Sequence, residues 1–205
     1  MLLDYSSLVH EFNVNVTGVI HVGGHIGEEL ETYNSQELKN LIMFEPQKHC
    51  FEQIVEKAKQ LGMNEIKIIN KALGNSKGQM EIISDPTGLC GSLLEPKIVL
   101  TYPDIVFSER FMVEVSVMDD EIPKNHSYNF LNMDVQGYEL EVLKGAIKTL
   151  KKIQYIYTEV NRDEVYKNCA MIEQIDEFLN PFGFNRVKES WKGEWGDAFY
   201  IKENV

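Results

Sequence analysis

Residues 18–30 read Gly-Val-Ile-His-Val-Gly-Gly-His-Ile-Gly-Glu-Glu-Leu. The apolar run 17–22 favours a strand. Gly23, Gly24 and Gly27 then permit a tight turn, and the acidic stretch 28–33 favours a helix. The same plan recurs at once: Leu41-Ile42-Met43-Phe44 ends at Glu45-Pro46, and a helical pattern follows through Phe51, Ile54, Val55, Ala58 and Leu61. Two strand–turn–helix units in succession predict an α/β chain with a mostly parallel sheet, covered on both faces and joined by right-handed connections.

Working outward, residues 65–70 read as a third strand and 78–84 as an extra strand after the Gly74-Asn75 turn signal. Residues 85–110 hold three prolines and two glycines and predict a long functional loop. Residues 111–117 alternate as a half-buried strand placed near an edge. Residues 128–135 form another strand, leading through Gly137 into a helix marked by Leu140, Leu143, Ala146, Ile147 and Leu150. A strand at 152–160, a helix near 168–179 and two strands near 183–190 and 196–202 complete the chain. No long helical pattern separates the last two, so they predict an antiparallel hairpin at one edge. Before the first strand, Leu2, Leu3, Leu8, Val9 and Phe12 mark a short helix, so residues 1–205 read as a single domain with an N-terminal helical flank at 1–16.

Composition limits the function. The 205 residues carry a formal net charge of −12 with no basic block, which argues against a phosphate-backbone partner. No run of ~18 apolar residues offers a membrane span and no signal-peptide pattern opens the chain, so a cytoplasmic location is expected. Cys50, Cys90 and Cys169, an odd number widely spaced, predict reduced thiols.

In an open parallel sheet, ligands bind beyond the carboxyl ends of the strands where strand order reverses. The glycines after the first strand let a ligand lie against bare backbone. A structural turn alone remains the alternative. Glu45 ends the second strand and can accept both ribose hydroxyls of an adenosine-containing cofactor, whereas a solvated helix cap is the competing role. Asp134 is delivered to the sheet edge by the strand before it, and Glu159 ends the next; Glu139 sits in a first helical turn, where the dipole favours negative charge. His21 and His25 flank a turn, not one helix face, so they predict no metal pair, and no metal is assigned to any group.

The segments GVIHVGGHIGEEL (18–30), MFEPQ (43–47), NKALGN (70–75), DVQGYELEVLKGA (134–146) and IYTEV (156–160) together resemble the FkbM family of S-adenosylmethionine-dependent methyltransferases. The resemblance runs from about residue 17 to the end. It implies a Rossmann-like class I methyltransferase fold, a seven-stranded mostly parallel sheet closed by an antiparallel hairpin. The implied reaction is methyl transfer from S-adenosyl-L-methionine to a hydroxyl, often of a sugar, glycan or related natural product. Carried over, Gly23, Gly24, His25 and Gly27 line the methionine part of the cofactor, Glu45-Pro46 the ribose and Lys71-Ala72 the adenine. Asp134 faces the transfer centre as cofactor contact and base, with Glu159 beside it as a second catalytic carboxylate. Ser92 and Glu139 are candidate substrate contacts. The chain departs from the commonest pattern at His21, where an acidic residue is usual, and at Val117-Met118-Asp119. Trp191 and Trp195 could stack on a sugar ring or pack in the core. A non-catalytic S-adenosylmethionine-binding module and an NAD-dependent oxidoreductase are the other readings; the latter calls for glycines at first, third and sixth positions, which are absent.

Overall fold

The structure is a computed structural model and describes residues 1–97 and 103–203. Helix α1 (Tyr5–Glu11) precedes β1 (Val19–Val22), α2 (Leu30–Ser35), β2 (Leu41–Phe44), α3 (Lys48–Gln60) and β3 (Lys67–Ile69). Next come β4 (Ala72–Leu73), β5 (Gly78–Ser84), β6 (Glu109–Ser116) and the short α4 (Met118–Glu121). The second half runs β7 (Phe130–Met133), α5 (Glu139–Lys144), β8 (Tyr155–Asn161), α6 (Ile172–Leu179), β9 (Phe184–Lys192) and β10 (Trp195–Lys202).

Seven strands form the main sheet in the order β3-β2-β1-β7-β8-β10-β9. The first five are mutually parallel, and β10 runs antiparallel to both β8 and β9. The expected edge hairpin is therefore present. β1 lies between β2 and β7: the chain first builds outward through β2 and β3, then returns to the other side of β1. That reversal opens a crevice above the carboxyl ends of β1 and β7.

Alternation along the strands sorts the core. Val19, Met43, Phe130, Tyr157 and Phe199 face α1, α2 and α3, meeting Tyr5, Leu8, Leu30, Tyr33, Ile54 and Ala58. Ile20, Val22, Phe44, Leu131, Met133 and Ile156 face the other way, onto Val142 and Leu143 of α5 and Ile172, Ile175 and Leu179 of α6. The spacing of the α6 trio places all three on one helix face. The N-terminal helix flanks the sheet.

Two expectations need correction. Residues 109–116 form no edge of the main sheet; β6 is the central strand of a separate three-stranded sheet, ordered β4-β6-β5. The half-buried pattern is real, since Val113 and Val115 are buried with Ile82, but alternation alone does not say which sheet a strand joins. The predicted 140–150 helix is regular only to Lys144, and after Gly145 the chain continues through turns into a 3-10 turn at Thr149–Lys151. Asp119 fastens that turn by accepting from the Lys148 and Thr149 backbone N–H groups at 2.8 Å.

Candidate functional site

A cavity of about 500 Å³ lies above the carboxyl ends of β1, β2 and β7. Its wall near β1 is backbone. Gly23 has φ +84°, and a Cβ there would stand 1.8 Å from the Asp134 carbonyl oxygen. A Cβ on Gly24 would press on Ile54 and Met43 at 2.9 and 3.0 Å. Side chains are thus excluded where the turn meets the cavity, which is what close approach of a ligand to a chain turn requires.

Glu45 is 3% exposed. One carboxylate oxygen accepts from the His25 backbone N–H and the other from that of Gln47, both at 2.8 Å. Burial pushes its carboxyl up to about 7, against the opposing pull of those donors. Each oxygen keeps a second lone pair. The His25 ring leaves the glycine turn for Glu28, 2.6 Å from Nδ1, and for the Thr87 carbonyl, 3.1 Å from Nε2. Burial disfavours the charged ring, but its hydrogen-bond partners prevail and raise it to about 11. His21 also borders the cavity, with its Nδ1 held by the Tyr33 hydroxyl at 3.2 Å, and that hydroxyl accepts from the Asn132 side-chain amide at 2.8 Å.

Lys71 and Ala72 border the cavity. The Lys71 ammonium, however, is paired with Glu114 at 2.9 Å and Glu121 at 3.0 Å, so only the rest of the residue is available to a ligand. The loop after β5 forms another wall with Gly88, Leu89, Gly91 and Leu93. Asp85 shapes it, one oxygen accepting from Thr87 N–H at 2.9 Å and the other from Cys90 N–H at 2.8 Å. Gln47 buttresses it by donating to the Gly88 carbonyl at 2.7 Å.

Asp134 lines the opposite side. One oxygen each of Asp134, Glu139 and Glu159 lies within 4.8 Å of the other two. No lysine or arginine pairs with any of them among the described residues. Burial, the dominant cause, raises all three carboxyls: Glu139 to about 7, Glu159 well above the usual range with further help from Asp134 and Glu139, and Asp134 upward as well. Three crowded acids carry no assigned metal.

The sequence-derived residues do not all converge on the cavity. Gly23, Gly24, His25, Glu45, Pro46, Lys71, Ala72 and Asp134 border it. Gly27 supports the turn from behind, its missing Cβ leaving room for Leu30 at 2.9 Å. Glu159 reaches Asp134 through Gln136, whose side-chain N lies 2.7 Å from Asp134 and 3.2 Å from Glu159. Glu139 is turned inward and accepts from Val135 and Gly137 N–H at 3.0 and 3.2 Å, closing the β7–α5 turn. Ser92 is 1% exposed, and its hydroxyl donates to the Gln136 carbonyl at 2.7 Å. Neither Ser92 nor Glu139, the expected substrate contacts, borders the cavity; the Ser92 hydroxyl and Glu139 Oε1 are engaged by backbone partners. Trp191 packs on the α5–α6 side of the core and neither tryptophan borders the cavity. Gln47, Gln136, Tyr157 and the segment Met1–Tyr5 border it without having been singled out. Only their distant partners reveal them: Asp197, fully buried, accepts from Leu3 N–H at 2.8 Å and from the Tyr157 hydroxyl at 2.6 Å.

A parallel sheet with a glycine turn after β1, an acid after β2 and a closing antiparallel hairpin defines the class I methyltransferase fold. Residues 21–186 match the methyltransferase FkbM domain, and the chain belongs to that family. S-adenosyl-L-methionine is the cofactor of this fold and family. Among curated relatives, the 2-O-methyltransferase NoeI of Sinorhizobium fredii (strain NBRC 101917 / NGR234) is 33% identical over 113 residues, 54% of this chain and 46% of that one. The match thus spans about half of the relative's length. Streptococcus pneumoniae Sp1610, assigned as a tRNA (m1A22) methyltransferase and solved with S-adenosyl-L-methionine, superposes with a TM-score of 0.56 at 12% identity over all of this chain and 76% of its own. The N-methyltransferase NodS of Bradyrhizobium japonicum, solved with S-adenosyl-L-homocysteine, gives 0.55 at 8% identity over 94% of this chain and 81% of its own. No helix among the described residues is long and apolar enough to cross a membrane.

Proposed function

We propose that the protein is an S-adenosylmethionine-dependent O-methyltransferase acting on a hydroxyl of a sugar, glycan or related small molecule, in the cytoplasm. One observation carries the reading: Asp134 borders the same cavity as the Gly23-Gly24 turn and Glu45. The name of NoeI adds the O-methyl chemistry as an analogy.

The residues fit the cofactor. The cavity volume of about 500 Å³ lies in the range of small-molecule sites, ~300–1,000 Å³. Glu45 retains acceptor capacity for ribose hydroxyls, and the bare turn at Gly23 and Gly24 would cradle the methionine portion. Asp4, Glu28, Glu29, Glu45 and Asp134 border the cavity, an excess of acid suited to a cationic ligand. When bound, the cofactor supplies an electrophilic methyl on a sulfonium. The protein's part is to align an acceptor oxygen with it and to take the hydroxyl proton. Alignment provides most of the acceleration. Asp134, made more basic by burial, is the proton acceptor.

The test is thermal unfolding with S-adenosyl-L-methionine, S-adenosyl-L-homocysteine, NAD or no ligand. At 100 times its dissociation constant a ligand adds ~2.7 kcal/mol, a midpoint shift of roughly 5 to 10 °C at this size. Stabilisation by both S-adenosyl compounds and not by NAD is expected; stabilisation by NAD alone would overturn the proposal. Transfer of labelled methyl is then followed into sugars, glycans and RNA. Labelled RNA with unlabelled sugars would replace the acceptor class.

A further inference from the structure

Gln136 stands in the turn between β7 and α5 with φ +54°, a left-handed conformation that non-glycine residues seldom adopt. Such strain persists only where surrounding contacts over-determine it. Here the Ser92 hydroxyl holds the Gln136 carbonyl at 2.7 Å, and the Tyr166 hydroxyl lies 2.8 Å from the side-chain Oε1. The hydroxyl has one proton and a second acceptor, the Cys90 carbonyl, at 3.1 Å; the shorter contact, to Oε1, turns the amide oxygen toward Tyr166. The amide nitrogen therefore faces the acids, with Asp134 Oδ1 at 2.7 Å and Glu159 Oε2 at 3.2 Å. One N–H is available for each carboxylate.

We propose that Gln136 is a positioning residue that selects Asp134 over Glu159, and Oδ2 within Asp134, as the proton acceptor for methyl transfer. The inference rests on the reading of the cavity as the transfer site. Asp134 and Gln136 border the cavity whereas Glu159 does not. The shorter of the two amide contacts goes to Asp134, so the ionised state is favoured there more than on Glu159. Because the amide occupies Oδ1, the remaining atom, Oδ2, is the one without a protein donor among the described residues. As the acceptor's O–CH3 bond forms and the sulfonium's S–CH3 bond breaks, the hydroxyl proton passes to that oxygen, leaving a methyl ether and a neutral thioether. Charged neighbours set the background: Glu159 of β8, Glu139 of α5, Asp197 of β10, Glu29 before α2 and the amino group of Met1. All but the last repel a second negative charge. Gln136 is the neutral donor that breaks the tie between Asp134 and Glu159.

Carboxyl-carbon NMR titration of the full chain, labelled at Asp and Glu side chains, tests the idea without an acceptor. Asp134→Asn and Glu159→Gln assign the two signals. In the parent, Asp134 should ionise at lower pH than Glu159. Gln136→Gly keeps the positive φ without strain. It should raise the proton affinity of Asp134 about tenfold or more. Gln136→Asn, which tolerates the same backbone but is one methylene short, should move it in the same direction. Affinity for S-adenosyl-L-homocysteine within about twofold of the parent certifies the fold of each variant. Should Glu159 ionise first in the parent, or Asp134 titrate unchanged in a variant that binds normally, the assignment of Gln136 falls while the cofactor reading stands. If the parent does not bind S-adenosyl-L-homocysteine, both fall.

Discussion

The two halves of the cavity are made from different materials. On the β1–β2 side the glycine turn presents backbone, and the buried carboxylate there, Glu45, is held by two peptide N–H groups, that of Gln47 two residues on and that of His25 in the turn after β1. On the β7–β8 side it is side chains: Asp134, Gln136 and, behind them, Glu139 and Glu159, gathered from separate elements with no cationic side chain among them. The first half is shaped to receive a ligand of fixed outline. The second stores unfavourable electrostatics, the arrangement that shifts carboxyls toward proton exchange near neutral pH.

The seam between the halves is Gly23. Its place beside the Asp134 carbonyl leaves no room for a methyl group, and its φ of +84° adds strain to any substitute. Gly23→Ala should therefore damage both halves, lowering unfolding stability by about 4 kcal/mol, as measured by urea titration. A loss under 1 kcal/mol would mean that the seam is loose.

Next in size is a pH effect that Glu139 contributes from the acid half. Glu139 is raised from 4.5 to about 7 by burial, so the folded state holds a proton that the unfolded state releases. Its contribution is complete below about pH 4.5 and declines as pH rises toward 7, by on the order of 3 kcal/mol. Glu139→Gln keeps an oxygen for the Val135 and Gly137 N–H groups and removes the titration. Urea unfolding at pH 5 and pH 7.5 should show a marked fall for the parent and a flatter response for the variant; equal slopes would show that Glu139 is not part of the stored charge.

Two further substitutions should separate the halves by function. Asp134→Asn is expected to slow methyl transfer on the order of 100-fold with little change in S-adenosyl-L-homocysteine affinity. Glu45→Gln should weaken that affinity by about 2 kcal/mol. Calorimetry of both variants, together with turnover on the acceptor found by methyl labelling, checks the pair. A cross-over, with Asp134→Asn losing affinity and Glu45→Gln keeping it, would reverse the division of labour.

The same contrast explains what was legible in the sequence. β1, β2, β5 and the closing hairpin were marked by local apolar runs and turn residues, and Gly23, Gly24 and Glu45 sit at the ends of those runs. Long-range pairing was not encoded locally. β6 alternated plainly, yet its partner Ala72–Leu73 is two residues long and left no readable pattern. Ser92 and Glu139 have chemistry that suits a substrate, and only the fold shows that backbone groups engage them. Gln136 lies inside the segment DVQGYELEVLKGA but carries no role there, because a glutamine before Gly137 reads as an ordinary turn residue until Tyr166 and Glu159 are brought beside it. Lys71 follows the third strand and borders the cavity, while the direction of its ammonium depends on Glu114 in a distant strand.

Trp191 lies on β9 and Trp195 on β10, and these are the two tryptophans of the chain. Both are on the outermost ribbon of the sheet, with Arg162 over one ring at 5.0 Å and Lys192 over the other at 5.9 Å. Intrinsic indole emission is thus an optical gauge of how that ribbon docks, from two rings that do not border the cavity. A fluorescence titration that changes on adding ligand would report motion carried across the sheet to its rim, whereas tyrosine signals from Tyr138 and Tyr157, which border the cavity, would register occupancy directly.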